Sequence, residues 1–454
     1  MRIRRVLILD LSGVPVRALD EGWAPNLARL ASAGDRRRLR PPFPSAASTF
    51  HATLVTGRPT RLHGIVADAF YDRDLMRPIT WANSARLLQA PPLWSWEGGG
   101  RLCVATLFWS NSWGASADAV VAPPLPSAPW ASDSPPVGCS TQPEELSEAL
   151  TRAVGPLSSD DWWGPQAGLR AARWTMAAIG RLLEWRRPHV LLAYLPQAGH
   201  TARRLGPESA EARAAVTRLD REVGRLLAEL DHRGTLASTA VLALSGRAIR
   251  PVSRPVPLNR FLREAGLLAV RRSGGRLYLD LGRSAAFAVC DQQVAHIYLQ
   301  GARATDVRHA LESLPGVAAL LEEADLRALD ADHPRSGDLV AIAEAGAWFP
   351  YDWWDRPEEA PPVARRVEPT GKPGVDPLEL LAGPEGVPLD RTVLRGSFGS
   401  LADSPEQGWL VSSRPLPRQV ESEEIGADEV AAVLAAWLGL QPEHELARAG
   451  IHPA

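Results

Sequence analysis

Four short runs of apolar residues most constrain the fold of this chain. They read "RVLILDL", "LCVATLFW", "HVLLAYLP" and "STAVLALS", and they begin at residues 5, 102, 189 and 238. Almost every position in them is apolar, so a strand formed by one of them would be buried on both faces. That pattern is typical of parallel strands with helices packed above and below the sheet. We therefore predict a sheet whose central strands are parallel and fully covered.

Helical patterns separate these predicted strands. One apolar stripe at helical spacing consists of Leu169, Ala172, Met176, Ile179 and Leu183. A second stripe consists of Leu219, Val223, Leu226 and Leu230. Alternation of strands and helices predicts an α/β fold with an open, doubly wound sheet and helices on both faces. Ligands of such folds bind beyond the carboxyl ends of the strands, so a site is expected there.

Composition argues against several classes of partner. The 454 residues include 50 basic and 52 acidic ones, and the formal net charge of −2 gives no field that would attract nucleic acid or an anionic membrane. The three cysteines form no CxxC pair, so neither a disulfide framework nor a thiolate zinc site is expected. Charged residues interrupt every apolar run well before the ~20 residues that a membrane helix needs. We expect a cytoplasmic protein without a nucleic-acid or membrane partner.

The order of the predicted elements changes after residue 257. Residues 285–345 predict a strand, a helix and two further strands, which would form a small α+β unit. We predict a discontinuous core at 1–257 and 350–440, an inserted α+β cap subdomain at 258–349 and a tail at 441–454. The proline-rich stretch "DRPEEAPPVARRVEPTGKPGVDP" would return the chain to the core as an irregular loop. Near the end, "GADEVAAVLAAWLGL" predicts a helix with Asp428 as N-cap and a glycine at its close.

Six segments, in the order in which they occur, carry a resemblance to a known family. They are "VLILDLSGV", "APNLARLASAG", "FPSAASTFHATLVTGRPTRLHGIV", "HVLLAYLPQAGHTARRLGP", "VLALSGRAIRPV" and "ADEVAAVLAAWLGL". Together they resemble the type I phosphodiesterase/nucleotide pyrophosphatase family of the alkaline phosphatase superfamily. The resemblance implies an alkaline-phosphatase-like fold. It also implies a chemistry in which two zinc-like metals, held by Asp and His, assist attack of a Thr or Ser on phosphorus.

The positions that match the family's nucleophile and first ligand carry other residues. Aligned through the shared "TG" dipeptide, the family's nucleophilic Thr falls on Ala47, whose side chain cannot attack phosphorus. The metal-binding Asp that precedes a glycine falls on Ser12, while Asp10 lies two residues earlier on the same side of the strand. The Asn that holds the phosphoryl group falls on Asp68, which would repel phosphate.

The later ligand positions depart from the family as well. The four Asp and His ligands that follow fall on Gly199, Arg203, Gly246 and Arg247. The last His falls near Lys372 or at Phe398. A guanidinium group has no lone pair to give and stays protonated, so it cannot ligate zinc. The resemblance thus implies that the metal site is lost, and we expect neither a metal nor another cofactor.

Three residues near the expected site are candidate catalytic groups: Ser48, Thr49 and His200. Each also has a simpler explanation. Ser48 and Thr49 would cap a helix that begins near Phe50, and a loop histidine such as His200 is usually just solvated. His51 and His63 are interpreted as a packed helix residue and a turn residue.

Six positions are candidates for ligand binding: Asp10, Ser12, Ala47, Asp68, Arg203 and Arg247. Two arginines at former ligand positions could replace the charge of the metals and bind an anion. Each arginine could instead form a salt bridge with Asp10 or Asp68, which is the favoured structural explanation.

Three hypotheses for function follow. The first is a metal-independent protein that binds, and could transform, a small polar or anionic molecule in the former metal pocket. The second is a catalytically inactive binding or scaffold protein. The third keeps metal-dependent hydrolysis with ligands shifted to Asp10, Asp68, Asp72, His63 and His200. We rank the third last, because it requires every aligned ligand to be lost and then replaced.

Overall fold

The computed structural model describes residues 3–81, 83–96, 102–124, 138–165, 167–312, 314–368, 370–399, 408–418, 420 and 422–440. Its α-helices are α1 (Arg17–Asp20), α2 (Pro25–Ala33), α3 (Ala47–Thr56), α4 (Thr60–His63), α5 (Glu145–Val154), α6 (Ser159–Trp162), α7 (Leu169–Trp185), α8 (Gln197–Leu205), α9 (Ala210–His232), α10 (Leu258–Glu264), α11 (Ala304–Leu311), α12 (Glu323–Ala328) and α13 (Val430–Leu438).

The strands are β1 (Arg5–Asp10), β2 (Asp35–Arg40), β3 (Ala69–Asp72), β4 (Arg77–Thr80), β5 (Val104–Leu107), β6 (Ala119–Val121), β7 (Thr141–Gln142), β8 (Val190–Tyr194), β9 (Thr239–Ser245), β10 (Arg250–Pro251), β11 (Arg254–Pro255), β12 (Val270–Ser273), β13 (Arg276–Leu279), β14 (Ala286–Asp291), β15 (Val294–Leu299), β16 (Val317–Leu321), β17 (Leu339–Ala343), β18 (Ala347–Trp348), β19 (Gly396–Ser397), β20 (Gly408–Ser412) and β21 (Glu424–Gly426).

A nine-stranded sheet forms the centre of the molecule, in the order β21-β2-β20-β9-β1-β8-β5-β6-β7. The strands from β9 to β6 are parallel to their neighbours. β20 and β7 flank this parallel block, and they run antiparallel to β9 and β6, respectively. The four apolar runs form β1, β5, β8 and β9, which lie side by side and are almost entirely buried. The predicted doubly wound α/β fold is confirmed, with antiparallel strands added toward both edges.

Alternate residues of β1 enter two hydrophobic clusters, one on each face of the sheet. Leu7 and Leu9 pack in a cluster with residues of α2, α7 and α9. Val6 and Ile8 pack in another with residues of α3 and α13. The apolar stripes of α7 and α9 are therefore buried against the sheet, as their spacing predicts. Among the helices that the structure describes, none is long and apolar enough to cross a lipid bilayer.

A second sheet lies within the segment predicted as an insertion. Its four strands are antiparallel and follow the order β14-β15-β17-β16. The stretch predicted as a single strand at its start is a hairpin, because the chain turns at Gln292, whose φ is 64°. The hydrophobic cluster of this sheet also includes Ala69 and Tyr71. The subdomain boundaries stay a prediction, and the predicted tail at 441–454 lies outside the described residues.

The C-terminal part of the fold corrects one predicted helix cap. Glu429, not Asp428, is the N-cap residue of α13, and its Oε2 accepts a hydrogen bond from the Gly426 N–H at 2.5 Å. The predicted closing glycine is confirmed, since Gly439 takes a left-handed conformation with φ 69°. The proline-rich return segment contains short 3₁₀ turns, Pro357–Glu359 and Pro362–Arg365, and no strand or α-helix among its described residues.

Candidate functional site

The carboxyl ends of β1 and β8 place Asp10 beside Tyr194, since the two residues are register partners. The chain then turns through Ser12 and Gly13. A Cβ atom on Gly13 would lie only 2.4 Å from the Cα of Gly199, so the start of α8 packs directly against this turn. The edge of the sheet that the sequence selects is therefore where Asp10, Ser12 and α8 meet.

His51 holds the carboxylate of Asp10. The Nδ1 atom of His51 accepts a hydrogen bond from the Ser110 N–H at 3.1 Å, so the ring proton is on Nε2, 2.9 Å from Asp10 Oδ2. The ring stacks on Trp109 with centroids 3.9 Å apart. Burial lowers the pKa of His51, against the effect of Asp10. The imidazole is neutral and both nitrogens are used, so it orients Asp10 and is not free to act as a base.

Arg247 spans the ends of the strands. Its Nε donates to Ser12 Oγ at 2.7 Å, and one terminal nitrogen donates to the Tyr194 hydroxyl at 2.8 Å. The other terminal nitrogen lies 3.5 Å from the carbonyl oxygen of Ser45. Burial opposes the charge of this guanidinium, but the Tyr194 hydroxyl and the nearby Asp68 and Asp10 carboxylates hold its pKa above the ordinary value. Arg247 is therefore a fixed cation held mainly by neutral groups.

Arg203, on α8, converges on the same place. The guanidinium carbons of Arg247 and Arg203 lie 4.4 and 5.6 Å from the centroid of the Phe398 ring. Burial, together with the charge of Arg247, lowers the pKa of Arg203 to about 10, so the group is charged at neutral pH. Its Nε is buried without a hydrogen-bond partner among the described residues. We call Arg203, Arg247, Phe398, Tyr194 and Ser12 the arginine pocket.

The salt bridges favoured from the sequence are not formed. Within the described residues, neither Arg203 nor Arg247 has a carboxylate within 4 Å of its nitrogens. Asp10 is engaged by His51, and one of its oxygens, Oδ1, is buried without a partner in the described part of the chain. The prediction of Asp–Arg pairing was wrong because each aspartate has another donor.

Asp68 caps the helix α3. Its carboxylate accepts hydrogen bonds from the backbone N–H groups of Ser48 at 2.7 Å and Ala47 at 3.3 Å, and the N-cap residue Ala46 has no side chain to do so. Ser48 and Thr49 lie inside the first turn, so the prediction that they cap the helix was wrong. An anion could reach these N–H groups only by displacing the Asp68 carboxylate.

A residue that the sequence did not indicate, Asp291, supports Asp68 from the tip of the β14–β15 hairpin. Asp291 Oδ2 accepts a hydrogen bond from the Asp68 N–H at 2.8 Å, and its Oδ1 is buried without a partner among the described residues. Burial and the Asp68 charge raise the pKa of Asp291. The same hairpin contacts the segment that carries Phe398, since the Gln293 N–H donates to the Phe398 carbonyl at 3.1 Å. The second sheet thus positions two parts of the pocket.

Of the candidate catalytic residues, Ser48 and Thr49 are buried and His200 is partly buried, and neither hydroxyl has an evident base among the described residues. Ser48 is 6% exposed, and among the described residues no imidazole or carboxylate bonds to its hydroxyl. The hydroxyl of Thr49 is buried without a partner in that same set. His200 lies on α8 instead of in a loop, and burial and the Arg203 charge lower its pKa. A catalytic role for these three residues stays a prediction.

The residues at the aligned positions do not fit the two metals that the resemblance implies. At Gly246 a Cβ would lie 2.4 Å from the Phe50 ring, and at Gly199 it would lie 2.8 Å from the Ser12 carbonyl oxygen. Neither position has room for a ligand side chain unless its neighbours move. Among the described residues no group of three or more His, Cys, Asp or Glu side chains could hold a metal ion.

The shifted ligand set of the third hypothesis is not assembled either. The structure describes all five of its members, Asp10, Asp68, Asp72, His63 and His200. Asp72 accepts two backbone N–H groups of the β3–β4 turn, at 2.8 and 3.0 Å. His63 closes α4, accepts the Ile65 N–H and bonds to the Thr53 hydroxyl at 2.9 Å, in keeping with a turn residue. Four of the five side chains, all except His200, are therefore committed to separate local contacts.

Tyr194 and Phe398 differ in how readily the sequence identifies them as residues of the arginine pocket. Tyr194 ends a predicted strand and so could have been selected from the sequence as a site residue. Phe398 was considered only as one of two matches to the family's last His. Its contact with two arginines is long-range, since Phe398 follows Arg203 by 195 positions and Arg247 by 151. No local pattern marks that contact.

Comparison with known proteins agrees with this geometry at the level of family and fold. The sequence model of the type I phosphodiesterase/nucleotide pyrophosphatase family matches residues 6–376. A Schizosaccharomyces pombe protein described as an uncharacterized pyrophosphatase/phosphodiesterase is 26% identical over 258 residues, which is 55% of this chain and 45% of the relative. The match therefore spans less than half the length of that relative.

Two solved structures share the fold over nearly the whole chain. Murine ectonucleotide pyrophosphatase/phosphodiesterase 5, as an inactive Thr-to-Ala variant in complex with AMP, has a TM-score of 0.60 and 15% identity. Phosphonoacetate hydrolase from Sinorhizobium meliloti 1021, in complex with phosphonoacetate, has a TM-score of 0.62 and 18% identity. Each match covers 96% of both chains. At these identities the likeness establishes the fold alone.

Proposed function

Because the chain belongs to the type I phosphodiesterase/nucleotide pyrophosphatase family but carries arginines at two aligned metal-ligand positions, we propose that it binds a small anionic molecule without metal ions. The binding site is the arginine pocket. Arg203 and Arg247 supply the positive charge that the family obtains from metals, and Phe398 supplies an aromatic surface that both side chains contact. The proposal concerns binding first, and transformation of the ligand is a separate question.

The observation that carries the proposal is the lack of a carboxylate partner for either guanidinium among the described residues. Arg203 has a buried Nε without a hydrogen bond, and Arg247 bonds to two hydroxyls and a carbonyl. A partly buried cation that no carboxylate contacts directly is unfavourable, and an anionic ligand in contact with it would offset that cost. Arginine is also suited to bidentate binding of carboxylates, phosphates and phosphonates.

Two hydroxyl groups favour an oxygen-rich anion. Ser12 and Tyr194 each accept a hydrogen bond from Arg247, so the O–H of each remains available to a ligand. Burial raises the pKa of Tyr194, which keeps its hydroxyl protonated. Three kinds of donor, guanidinium, phenol and alcohol, therefore meet around the Arg247 side chain. An anion with several acceptor oxygens would use them together.

We propose further that the protein does not hydrolyse phosphodiesters. Ala47 stands at the aligned nucleophile position, and Asp68 occupies the helix N-terminus where a phosphoryl group would otherwise bind. The murine neighbour is described as inactive when one Thr is replaced by Ala, yet that variant is in complex with AMP. Loss of turnover with retention of a ligand is the state that we propose here. A scaffold protein without any ligand is the alternative.

Calorimetric titration with AMP, phosphonoacetate and inorganic phosphate tests the proposal. We expect saturable binding of at least one of these anions to protein treated with a chelator. Arg203→Ala and Arg247→Ala should each weaken it by roughly 2–5 kcal/mol, because each removes a buried charged contact. Arg181→Ala is the matched control, since Arg181 lies on a surface helix in an exposed pair with Glu184. No binding, or equal affinity in all three variants, would rule out the anion site.

A further inference from the structure

We propose that a second cavity, between α7, α8 and α9, binds a neutral small molecule that carries an amide-like donor and acceptor. The cavity has a volume of about 460 Å³, within the range of small-molecule sites. Gln197, Thr201 and Arg204 line it, and their spacing places them on one face of α8. Arg203 instead contacts Phe398, so the cavity and the arginine pocket use different faces of the same helix.

The wall of the cavity is mainly aliphatic, and its exposed rim carries one residue of each charge. Ala172, Ala214, Ala215 and Leu219 contribute from α7 and α9. Glu211 and Arg218 lie about two turns apart on α9, and both are exposed at the rim of the cavity. Neither forms an ion pair with any described residue. Opposite charges at the rim give no preference for an anion or a cation. The body of the ligand should therefore be apolar and uncharged.

Gln197 determines the polar part of the ligand. The residue is only 5% exposed, and both its Nε2 and its Oε1 lack a hydrogen-bond partner in the described part of the chain. A buried donor and a buried acceptor left unpaired are each unfavourable. No hydrogen bond holds this amide in place, so rotation of the side chain toward the cavity breaks none. A ligand amide offers both complementary groups at once.

Arg204, the third charged residue that lines the cavity, is engaged by backbone carbonyl groups. Its terminal nitrogens donate to the carbonyl oxygens of Gly164 at 3.2 Å, of Ala167 at 3.2 Å and of Pro165. These contacts hold the loop before α7 against α8 and so form one wall of the cavity. The terminal nitrogens are thereby used for structure, while the Nε is buried without a hydrogen-bond partner among the described residues. Gln197 differs from Arg204 in that both a donor and an acceptor of its side chain are unpaired in that part of the chain.

Titration of the full-length protein with 4-fluorobenzamide, followed by fluorine NMR, tests this site. We expect saturable binding, with 4-fluorobenzoate at least about tenfold weaker because the charged carboxylate lacks the amide N–H donor. Gln197→Leu should weaken benzamide binding by about tenfold, since two hydrogen bonds are lost. The same variant should unfold at an unchanged or higher temperature, because an apolar side chain replaces an unpaired amide.

Two further variants separate this site from the arginine pocket. Ala215→Phe should block the cavity and abolish benzamide binding, whereas Arg203→Ala should leave it unchanged even if anion binding is lost. Absence of binding by the unmodified protein up to about 10 mM ligand would overturn the proposal. So would benzamide binding that Gln197→Leu leaves intact, or a lower unfolding temperature in Gln197→Leu, which would show that the amide is already paired.

Discussion

Two regions of the molecule bury arginine, and they treat its charge in opposite ways. In the arginine pocket, Arg203 and Arg247 contact hydroxyls, a carbonyl and an aromatic ring. In the segment that returns from the second sheet, a set that we call the loop cluster joins charges of both signs. Its members are Asp352, Lys372, Asp376, Glu379 and Arg391.

Each cation of the loop cluster is paired with carboxylates. Arg391 binds Asp352 through two hydrogen bonds of 2.5 and 2.7 Å and also contacts Asp376 at 3.2 Å. Lys372 bonds to Glu379 at 2.5 Å and lies 3.5 Å from Asp376. A network in which every cation already has a carboxylate partner is structural, since it needs no anionic ligand. In the arginine pocket, neither arginine contacts a carboxylate of the described residues. This contrast is why we assign a ligand to the arginine pocket and not to the loop cluster.

The same substitution at both places tests the contrast most strongly. Arg391→Met should lower the free energy of unfolding by about 3–5 kcal/mol, because it leaves Asp352 and Asp376 buried without their cation. Arg203→Met should change that free energy by less than about 1 kcal/mol, since no anion is left unpaired. Urea unfolding monitored by tryptophan fluorescence measures both. A large loss at Arg203 would mean that its charge is already compensated within the protein.

The main features of the fold could be predicted from the sequence, because burial on both faces leaves a local signature. The runs that form β1, β5, β8 and β9 are apolar at almost every position. The same reasoning missed the turn at Gln292, where two apolar runs are separated only by Asp291, Gln292 and Gln293. Local pattern therefore identifies strands well and short hairpin turns poorly.

The positions of the site residues were predictable, but their partners were not. Strand ends and the family resemblance located Asp10, Ser12, Arg203 and Arg247. Which donor each carboxylate takes depends on side chains far away in the chain, such as the pairing of Arg247 with Ser12 across 235 positions. The choice between a salt bridge and an unpaired arginine is made by that long-range packing, so the sequence left it open.

Asp68 offers a smaller and more specific test of the arginine pocket. Asp68→Asn keeps a side-chain oxygen for the helix cap and removes a negative charge near both guanidinium groups. Anion affinity should rise by about 1–2 kcal/mol, because the carboxylate no longer repels the ligand. Titration with phosphonoacetate measures the change. Asp72→Asn, at the β3–β4 turn, is the control. Equal effects of the two variants would show that the charge of Asp68 does not specifically weaken anion binding.

The loop cluster contains three carboxylates and two cations, so one carboxylate is in excess and should retain a proton. Burial raises the pKa of Glu379, against the effect of Lys372. A raised carboxyl pKa contributes stability that is full below the ordinary pKa of glutamate and is lost as the pH rises through the higher, folded value. Glu379→Gln removes that loss, because the amide cannot ionise. The stability of this variant relative to the unmodified protein should therefore rise between about pH 5.5 and about pH 8.5, by on the order of 1 kcal/mol in urea unfolding. Glu264→Gln, in an exposed pair with Arg260, should show no such trend. If the stability difference between Glu379→Gln and the unmodified protein does not change with pH, Glu379 is ionised in the folded protein over the whole range. In that case no proton neutralises the excess carboxylate.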